Sequence, residues 1–350
     1  MKVSIGTNIK DGPWGGGNLF AINLRDYLLK QNHQVVMNLY HDDIDVILLT
    51  EPRKTSESSA FTHIDVNKYK EYVNPNVVVI HRINECDERK KTDFVNEYLI
   101  EANKVSDYTI FVSSWLKNLF VNQGLSEKNS KVILAGANNE FFNTKGYKTW
   151  NGTEKLKIVT HHWGANWNKG FREYIKLDQL LNENIFREKY EFTYIGNIPK
   201  EIVFKNTKII DPLSGVDLAN EIKNNHIYLT ASLNEPSGNH HIEAAQCGLP
   251  LLYINSGGIP EYCDGYGVQF DESNFIEKLE ELRVNYEFYL EKIKTYPHNS
   301  VKMSEEYLLA FNNLLLERQS EENKKEIKDF FKKIKKNIYL LFRKFKYFLK

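Results

Sequence analysis

Two glutamates eight residues apart, Glu235 and Glu243, bracket the stretch of this sequence that is best suited to chemistry. The stretch follows Ile227–Thr230, an apolar run typical of a buried strand. It enters a helical pattern near Asn239 that Gly248 is placed to end. Glu235 is therefore expected on the loop after the strand, and Glu243 in the early turns of the helix. A carboxylate can accept two hydrogen bonds from a diol, and the helix N-terminus beside them favours a diphosphate.

Two solvated glutamates beside a helix cap are the alternative interpretation, but the pattern of Gly, Ala and Pro residues around them favours a binding site. Gly257, Gly258 and Ile259 follow the next predicted strand, Leu249–Tyr253. Glycine is expected where the backbone must approach a ligand closely. A Gly-Gly turn alone is weak evidence, and its position after the two glutamates is what strengthens it.

A second glycine-rich segment, Gly12-Pro13-Trp14-Gly15-Gly16-Gly17-Asn18, lies between the first predicted strand and a helical pattern. It lacks the G-x-G-x-x-G spacing of a dinucleotide fingerprint and the Gly-Lys-Ser/Thr of a Walker loop. The segment is interpreted as a ligand-facing loop, with a flexible surface turn as the alternative.

Two further positions are candidates because of where they fall in the strand pattern. Lys169 precedes Gly170 after the first strand of the second half, although a single exposed lysine is ordinarily solvated. His81 closes the strand Val77–His81, and parallel sheets bind ligands at the C-terminal ends of their strands. A structural and a catalytic role are equally supported for His81. The next residue, Arg82, could pair with a phosphate or with Glu85.

These motifs together resemble retaining glycosyltransferase family 4, whose E-x7-E motif corresponds to Glu235 and Glu243. The resemblance extends to about residue 318 and is most specific between Glu235 and Glu261. It implies that Glu243 binds the nucleotide ribose and Glu235 the transferred sugar, with Lys169 neutralising the donor diphosphate. The other positions that it implies for the donor and the reaction centre are Gly16, Gly17, Asn239, Gly257, Gly258, Ile259 and His81.

One position departs from the family pattern. The family usually carries an arginine about five residues before the lysine, and this sequence has Gly164 there. Arg172, His161 or His162 could supply the second cation for the diphosphate, and the sequence does not choose between them.

Short β-rich runs alternate with helical patterns along the chain, which predicts an α/β fold. The pattern restarts after the polar stretch Asn143–Glu154, so two Rossmann-like, doubly wound domains facing a cleft are expected. The predicted divisions are an acceptor-side domain over residues 1–148, a nucleotide-sugar-binding domain over 149–300, a crossing helix over 301–319 and a basic tail over 320–350. A helical pattern over Lys91–Val105 and a helix over Val301–Glu317 are among the predicted elements.

Charge is distributed unevenly along the 350 residues. The chain has 46 basic and 46 acidic residues, and the segment from Phe330 onward contains eight Lys or Arg and no acid. Residues 1–329 therefore carry 38 basic and 46 acidic groups, a net of −8, which argues against a nucleic-acid-binding body. Three scattered cysteines, no signal-peptide pattern and no long apolar run predict a cytoplasmic protein.

No cofactor and no metal are expected. The triplet Asp43-Ile44-Asp45 has the spacing of a metal-binding D-x-D motif, but Asp45 leads directly into a strand and no second ligand cluster accompanies it. The triplet is therefore not interpreted as a metal site.

The basic tail, Phe330–Lys350, separates into an apolar, aromatic-rich face and a basic face at helical spacing. This amphipathic pattern suits an anionic membrane interface, with packing onto the protein body or a partner subunit as the alternative. Peripheral association with the inner face of a membrane is the resulting prediction.

The predicted function is transfer of a sugar from a nucleoside-diphosphate sugar to a glycan or glycolipid acceptor, with retention of configuration. Envelope or capsular polysaccharide assembly is the expected setting. A sugar-nucleotide epimerase or phosphorylase on the same fold is one alternative. A non-catalytic partner that anchors another transferase at the membrane is the other.

Overall fold

The computed structural model describes residues 1–12 and 14–320. It confirms an α/β fold with two six-stranded parallel sheets. The first sheet contains β1 (Lys2–Ile5), β2 (Gln34–Val36), β3 (Val46–Leu49), β4 (Val78–Ile83), β5 (Tyr108–Phe111) and β6 (Ser130–Val132). The second contains β7 (Leu156–His162), β8 (Tyr190–Gly196), β9 (Lys208–Ile210), β10 (Ile227–Thr230), β11 (Leu251–Ile254) and β12 (Gly267–Phe270).

Helices connect the strands in both halves of the chain. The first half contains α1 (Gly15–Lys30), α2 (His63–Tyr72), α3 (Asp87–Lys90), α4 (Val95–Asn103) and α5 (Ser114–Asn122). The second contains a 3₁₀ turn (Trp167–Lys169), α6 (Phe171–Leu180), α7 (Asn184–Arg187), α8 (Gly215–Lys223), α9 (Asn239–Gln246), α10 (Ile259–Cys263), α11 (Phe275–Val284) and α12 (Tyr286–Ile293). Residues 300–320 are also helical and are called α13.

Strand order explains where a ligand can enter. The first sheet runs β2-β1-β3-β4-β5-β6, and the second runs β12-β11-β10-β7-β8-β9. If β7 is numbered as strand 1 and the sheet is read from β9, the second sheet has the 3-2-1-4-5-6 order of the dinucleotide-binding fold. The direction of winding therefore reverses between β7 and β10, and loops after those two strands splay apart to leave a crevice. The strands that carry these loops are buried along nearly their whole length.

Two predicted elements differ in the structure. The helical pattern over Lys91–Val105 is divided, because Lys91 is left-handed at φ +55° and ends α3. Asp87 then accepts hydrogen bonds at 2.9 Å from the backbone N–H groups of Val95 and Asn96, which begins α4. Strand β12 was not predicted.

The chain crosses between the domains at two adjacent places. Ala137 and Asn299 form a parallel β-bridge, and the Ser300 N–H donates to the Ala137 carbonyl at 2.7 Å. From there α13 returns to the first domain, where Met303 and Tyr307 join its hydrophobic core. The helix predicted over Val301–Glu317 is thus confirmed. The core of the second domain already includes residues that precede the predicted division at 148, namely Ala135, Ala137 and Phe142.

The two domains are also joined by side chains of α10. Glu261 accepts hydrogen bonds from the Ser114 N–H at 2.6 Å and from the Ser114 hydroxyl at 2.8 Å, at the start of α5. The Tyr262 hydroxyl donates to the Val112 carbonyl and accepts from the Ala135 N–H.

The segment Phe330–Lys350, for which an amphipathic helix is predicted, lies outside the described residues. Among the helices of residues 1–320, none combines the length and apolar character of a membrane span.

Gly170 provides a test of how the second domain is built. Its φ is +100°, and a Cβ there would lie 2.6 Å from the Ala231 carbonyl carbon. We expect Gly170→Ala to lower the free energy of unfolding by about 3 kcal/mol, because backbone strain and overpacking add. Urea unfolding of the purified variants measures this change.

Gly152→Ala is the matched control. Gly152 also has a positive φ, +80°, but a Cβ there would meet nothing within 4 Å. In this variant only backbone strain is added, so its free energy of unfolding should fall by only about 1 kcal/mol. Equal losses in the two variants would contradict the packing described around Gly170.

Candidate active site

A cleft of about 690 Å³ lies between the C-terminal edges of the two sheets. The loops after β1, β3 and β4 line it on one side, and the loops after β7, β8, β9 and β10 line it on the other. Of the predicted site residues, Gly16, Gly17, Lys169, Glu235, Asn239 and Glu243 all line this cleft.

Glu235 is the centre of a buried ion-pair network. Only 5% of the residue is exposed. Its Oε2 lies 2.7 Å from Lys169 Nζ, and its Oε1 lies 2.9 Å from Arg89 Nε, which comes from the other domain. Burial alone would raise the pKa of Glu235, but the charges of Arg89 and Lys169 outweigh it and lower the pKa to about 2. Glu235 is therefore ionised at every physiological pH.

Arg89 belongs to a second ion pair in the same network. Its Nη1 lies 2.8 Å from Glu85 Oε2, and Lys90 Nζ lies 2.9 Å from the same oxygen. Three cations thus face two carboxylates, which leaves one positive charge in excess. Burial lowers the pKa of Lys169, and the adjacent Glu235 opposes that effect.

The two loops that carry Lys169 and Glu235 are fixed by one left-handed residue and by hydrogen bonds of their backbone. Asn234, immediately before Glu235, is left-handed at φ +51°, a region that asparagine tolerates better than most residues. Its N–H donates to the Ser256 hydroxyl at 2.9 Å. The turn that carries Lys169 is fixed by the Leu233 N–H, which donates to the Asn168 carbonyl at 2.7 Å. Tight loops after β7 and β10 thus place Lys169 and Glu235 side by side.

Glu243 lies one turn inside α9, with 4% of the residue exposed. Its Oε2 is 2.9 Å from His161 Nε2, and His161 Nδ1 is 3.2 Å from the Tyr228 hydroxyl. His161 therefore orients Glu243 from the end of β7. The other carboxylate oxygen of Glu243 makes no hydrogen bond with the described residues.

Three more imidazoles lie at the site: His162 and His240 line the cleft, and His241 packs against His240. Burial is the main cause that lowers the pKa of His162 and of His240 well below the usual range. It lowers the pKa of His241 to about 3. His162 Nε2 lies 2.7 Å from the Tyr174 hydroxyl, and His240 Nε2 lies 2.8 Å from the Thr230 hydroxyl. These rings shape the site and carry no charge at neutral pH.

The two helix N-termini at the cleft face each other. Gly16 and Gly17 form the first turn of α1, and a Cβ at Gly16 would lie 3.1 Å from Asn239 Oδ1 at the start of α9. Trp14 and Gly238 precede the two helices, and neither makes a side-chain cap hydrogen bond. Uncapped N–H groups therefore point into one space, an arrangement that favours an anion.

Several predicted residues are placed elsewhere. Arg172 is half exposed and pairs with Glu173 and Glu272 on the outer side of α6, away from the cleft. His81 is fully buried and its Nδ1 lies 2.9 Å from Asn103 Oδ1, so its ring packs against α4 and does not line the cleft. Because side chains alternate along a strand, the neighbouring Arg82 lines the cleft instead.

The Gly257–Gly258 turn packs against the loop that carries Glu235. The Gly258 N–H donates to the Glu235 carbonyl at 2.9 Å, and the Ile259 N–H points at the Ser256 carbonyl at 3.4 Å. A Cβ at Gly257 would lie 2.5 Å from the Glu235 carbonyl oxygen. Both amides thus have partners within the protein, and glycine is required at Gly257 for close packing against the Glu235 loop. The ligand contact of this turn stays a prediction.

Arg89 is the site residue that the sequence analysis missed. It lies in the run Asp87-Glu88-Arg89-Lys90, which is indistinguishable in composition from an exposed charged turn. The one available signal was its position a few residues after the C-terminal end of β4, where parallel sheets bind ligands.

The described residues contain no group of three or more His, Cys, Asp or Glu side chains that could hold a metal ion. Asp43 pairs with Lys2, and Asp45 accepts a hydrogen bond at 2.7 Å from the Lys2 N–H. Asp45 directly precedes β3, so the triplet lies at the edge of the sheet opposite the cleft.

The low pKa of Glu235 predicts a pH-dependent contribution to stability. Glu235→Gln should cost about 3 kcal/mol at pH 7, because it leaves Lys169 and Arg89 buried without their carboxylate. The folded-state pKa lies below the ordinary value of 4.5, so the stabilisation is present above about pH 5 and is lost as the pH falls toward 2. The difference in unfolding free energy between wild type and variant should therefore narrow over that range.

Glu291→Gln is the control for this measurement. Glu291 pairs with Lys294 on the surface and its side chain is 69% exposed. Its substitution should change stability by less than about 0.5 kcal/mol. A pH-independent deficit in Glu235→Gln would show that Glu235 is not held ionised by its partners.

Comparison with known proteins bears on the fold. No protein-family model matches the sequence, and neither does any curated protein. A glycosyltransferase from Rickettsia africae ESF-5 superposes with a TM-score of 0.63 at 14% identity, over 90% of this chain and 98% of that one. Sucrose-phosphate synthase from Thermosynechococcus elongatus gives 0.61 at 11% identity, over 90% and 99%. Anabaena HepE, solved in complex with UDP and glucose, gives 0.60 at 14% identity, over 92% and 100%.

These structures cover both domains of this chain and nearly their own full lengths. At such low identity the likeness concerns the fold. Two parallel sheets wound in the observed orders, joined by two adjacent crossings and closed by α13, therefore give this chain the two-Rossmann-domain fold of the B-type glycosyltransferases.

Proposed function

We propose that this protein is a glycosyltransferase that moves a sugar from a nucleoside-diphosphate sugar to an acceptor hydroxyl. The observation that carries the proposal is the convergence of Lys169, Glu235 and Glu243 with two uncapped helix N-termini in one cleft. An excess positive charge beside free N–H groups suits a diphosphate, and carboxylates that flank it suit the hydroxyl groups of two sugars.

Each part of the nucleoside-diphosphate sugar can be assigned to residues of the cleft. The N-termini of α1 and α9, with Lys169, bind the diphosphate. The free oxygen of Glu243 accepts a hydrogen bond from the ribose while His161 holds the other oxygen. Glu235 faces the transferred sugar from the loop after β10, where its buried carboxylate, ionised at neutral pH, can accept hydrogen bonds from sugar hydroxyls.

The mechanism that suits this arrangement depends on positioning and charge. The acceptor hydroxyl replaces the nucleoside diphosphate at the anomeric carbon with retention of configuration, and the leaving diphosphate takes the acceptor proton on the same face. Negative charge that develops on the leaving group is stabilised by Lys169 and by the helix N–H groups. His81 has no part in this proposal, because its ring does not line the cleft.

Known structures with this fold support a uridine nucleotide as the donor carrier. HepE was solved with UDP-glucose, and an alpha-glucosyltransferase was solved with UDP-glucose and DNA. WaaG, another structural neighbour, takes part in lipopolysaccharide biosynthesis. A glycan or glycolipid acceptor, reached through membrane contact by Phe330–Lys350, is the corresponding proposal for this chain.

The proposal predicts that a nucleotide sugar both binds and turns over. One of a panel of uridine, guanosine and adenosine diphosphate sugars should raise the melting temperature by mass action. The same sugar should release its nucleoside diphosphate in the presence of an acceptor glycan. Lys169→Ala and Glu243→Ala should each reduce that release by at least about a hundredfold, because each removes a contact to the donor.

Arg172→Gln is the matched control for these variants, since Arg172 lies in the same domain but outside the cleft. It should turn over donor at the wild-type rate. Wild-type-like turnover by Lys169→Ala or Glu243→Ala would refute the assigned site. Conversion of the donor without any acceptor would indicate an epimerase, and strict dependence on inorganic phosphate would indicate a phosphorylase.

A further inference from the structure

The network around Glu235 joins residues from both domains, and its cations outnumber its carboxylates. Arg89 comes from α3 of the first domain, whereas Lys169 and Glu235 come from the second. The network therefore keeps a net charge of +1, carried in part by Lys90, whose side chain is 39% exposed, and this charge attracts an anion to the cleft. The described residues supply no third carboxylate to this network, and the open side of the network is the cleft.

The nearest neighbours of Gly164 are Asn166 Nδ2, 3.5 Å from a Cβ built on the glycine, and Lys169. A Cβ at Gly164 would lie 3.7 Å from Lys169 Cε, so a side chain at this position would extend along the lysine. Glycine there contributes no charge. Arg89 reaches the same region from the opposite wall of the cleft and meets the oxygen of Glu235 that Lys169 does not contact.

Two asparagine side chains of the second domain donate hydrogen bonds to backbone carbonyls of α3. Asn168 Nδ2 donates to the Arg89 carbonyl at 3.0 Å, and Asn234 Nδ2 donates to the Glu88 carbonyl at 3.3 Å. Asn168 and Asn234 directly precede Lys169 and Glu235 in the sequence. The same two loops therefore place the lysine, the carboxylate and the arginine of the other domain.

Arg89 contacts its ion-pair partners and remains partly exposed to the cleft. Its side chain is 27% exposed, and it lines the cleft together with Lys169 and the N-termini of α1 and α9. A guanidinium presents several N–H groups in a planar fork and can bind a phosphate while it keeps a carboxylate partner.

We propose that Arg89 is the second cation that binds the donor diphosphate, supplied across the cleft by the first domain. The assignment rests on the proposed function, since it presumes a nucleoside-diphosphate donor. Lys169 and Arg89 lie on opposite sides of one carboxylate, so two linked phosphoryl groups can reach both. Donor binding then ties the two domains together through its phosphates.

Calorimetric titration of the full chain with nucleotides tests this assignment. The probes are uridine diphosphate, uridine monophosphate and uridine, with the guanosine and adenosine series in parallel. Arg89→Gln should weaken binding of the preferred diphosphate by about tenfold or more, because a charge-assisted contact is lost. Its affinity for the matching nucleoside should stay within about twofold of wild type.

Two further variants control for charge and folding. Arg89→Lys keeps the charge without the fork and should give an intermediate loss for the diphosphate. This variant carries the test if Arg89→Gln does not fold. Arg172→Gln removes an arginine outside the cleft and should bind all probes as wild type does.

A double-mutant cycle with Glu235→Gln distinguishes two roles of Arg89: direct contact with the diphosphate, and positioning of the Glu235 carboxylate. If Arg89 binds the diphosphate, Arg89→Gln still weakens binding about tenfold in the Glu235→Gln background. No further loss in that background, or equal losses for diphosphate and nucleoside, would overturn the assignment. A wild-type protein that binds none of the three diphosphates would instead refute the proposed function, and this assignment with it.

Discussion

The buried carboxylate of Glu235 is the constraint on which the rest of the site depends. A charge removed from water is tolerated only with close partners, and here the partners are Lys169 at 2.7 Å and Arg89 at 2.9 Å. The left-handed Asn234 and the glycine after Lys169 hold the loops that carry these groups. Because one partner belongs to each domain, the domains cannot separate without exposing or unpairing a charge. The same ion pairs therefore set the distance between the walls of the cleft and balance its buried charge.

The features that the sequence analysis predicted correctly depend on local patterns. The alternation of strands and helices, the start of α9 near Asn239 and the end at Gly248 follow from periodicity and from cap residues. The position of Glu235 after β10 and of Glu243 inside α9 follows from the same elements.

The features that it missed depend on contacts between distant parts of the chain. Arg89 meets Glu235 across 146 positions of sequence, and apart from its position shortly after β4 nothing distinguishes it from a solvated residue. His81 was placed at the correct end of the correct strand, but which of two neighbouring side chains faces the cleft depends on the sheet face that each one occupies. The close approach of the Gly257–Gly258 turn to the Glu235 loop was also not predicted, because a glycine pattern indicates close approach without identifying the neighbour.

The adjacent crossings at Ala137 and Asn299 have a mechanical consequence. Two chain segments that run side by side, joined by hydrogen bonds, act as a single axis. Rotation about such an axis widens the far side of the cleft while each sheet and each core stays intact. Opening then breaks the polar contacts between the domains. These are the contacts of Arg89, Asn168 and Asn234 at the cleft and those of Glu261 and Tyr262 with the first domain. Opening of the cleft therefore depends on polar contacts between the domains and not on the stability of either hydrophobic core.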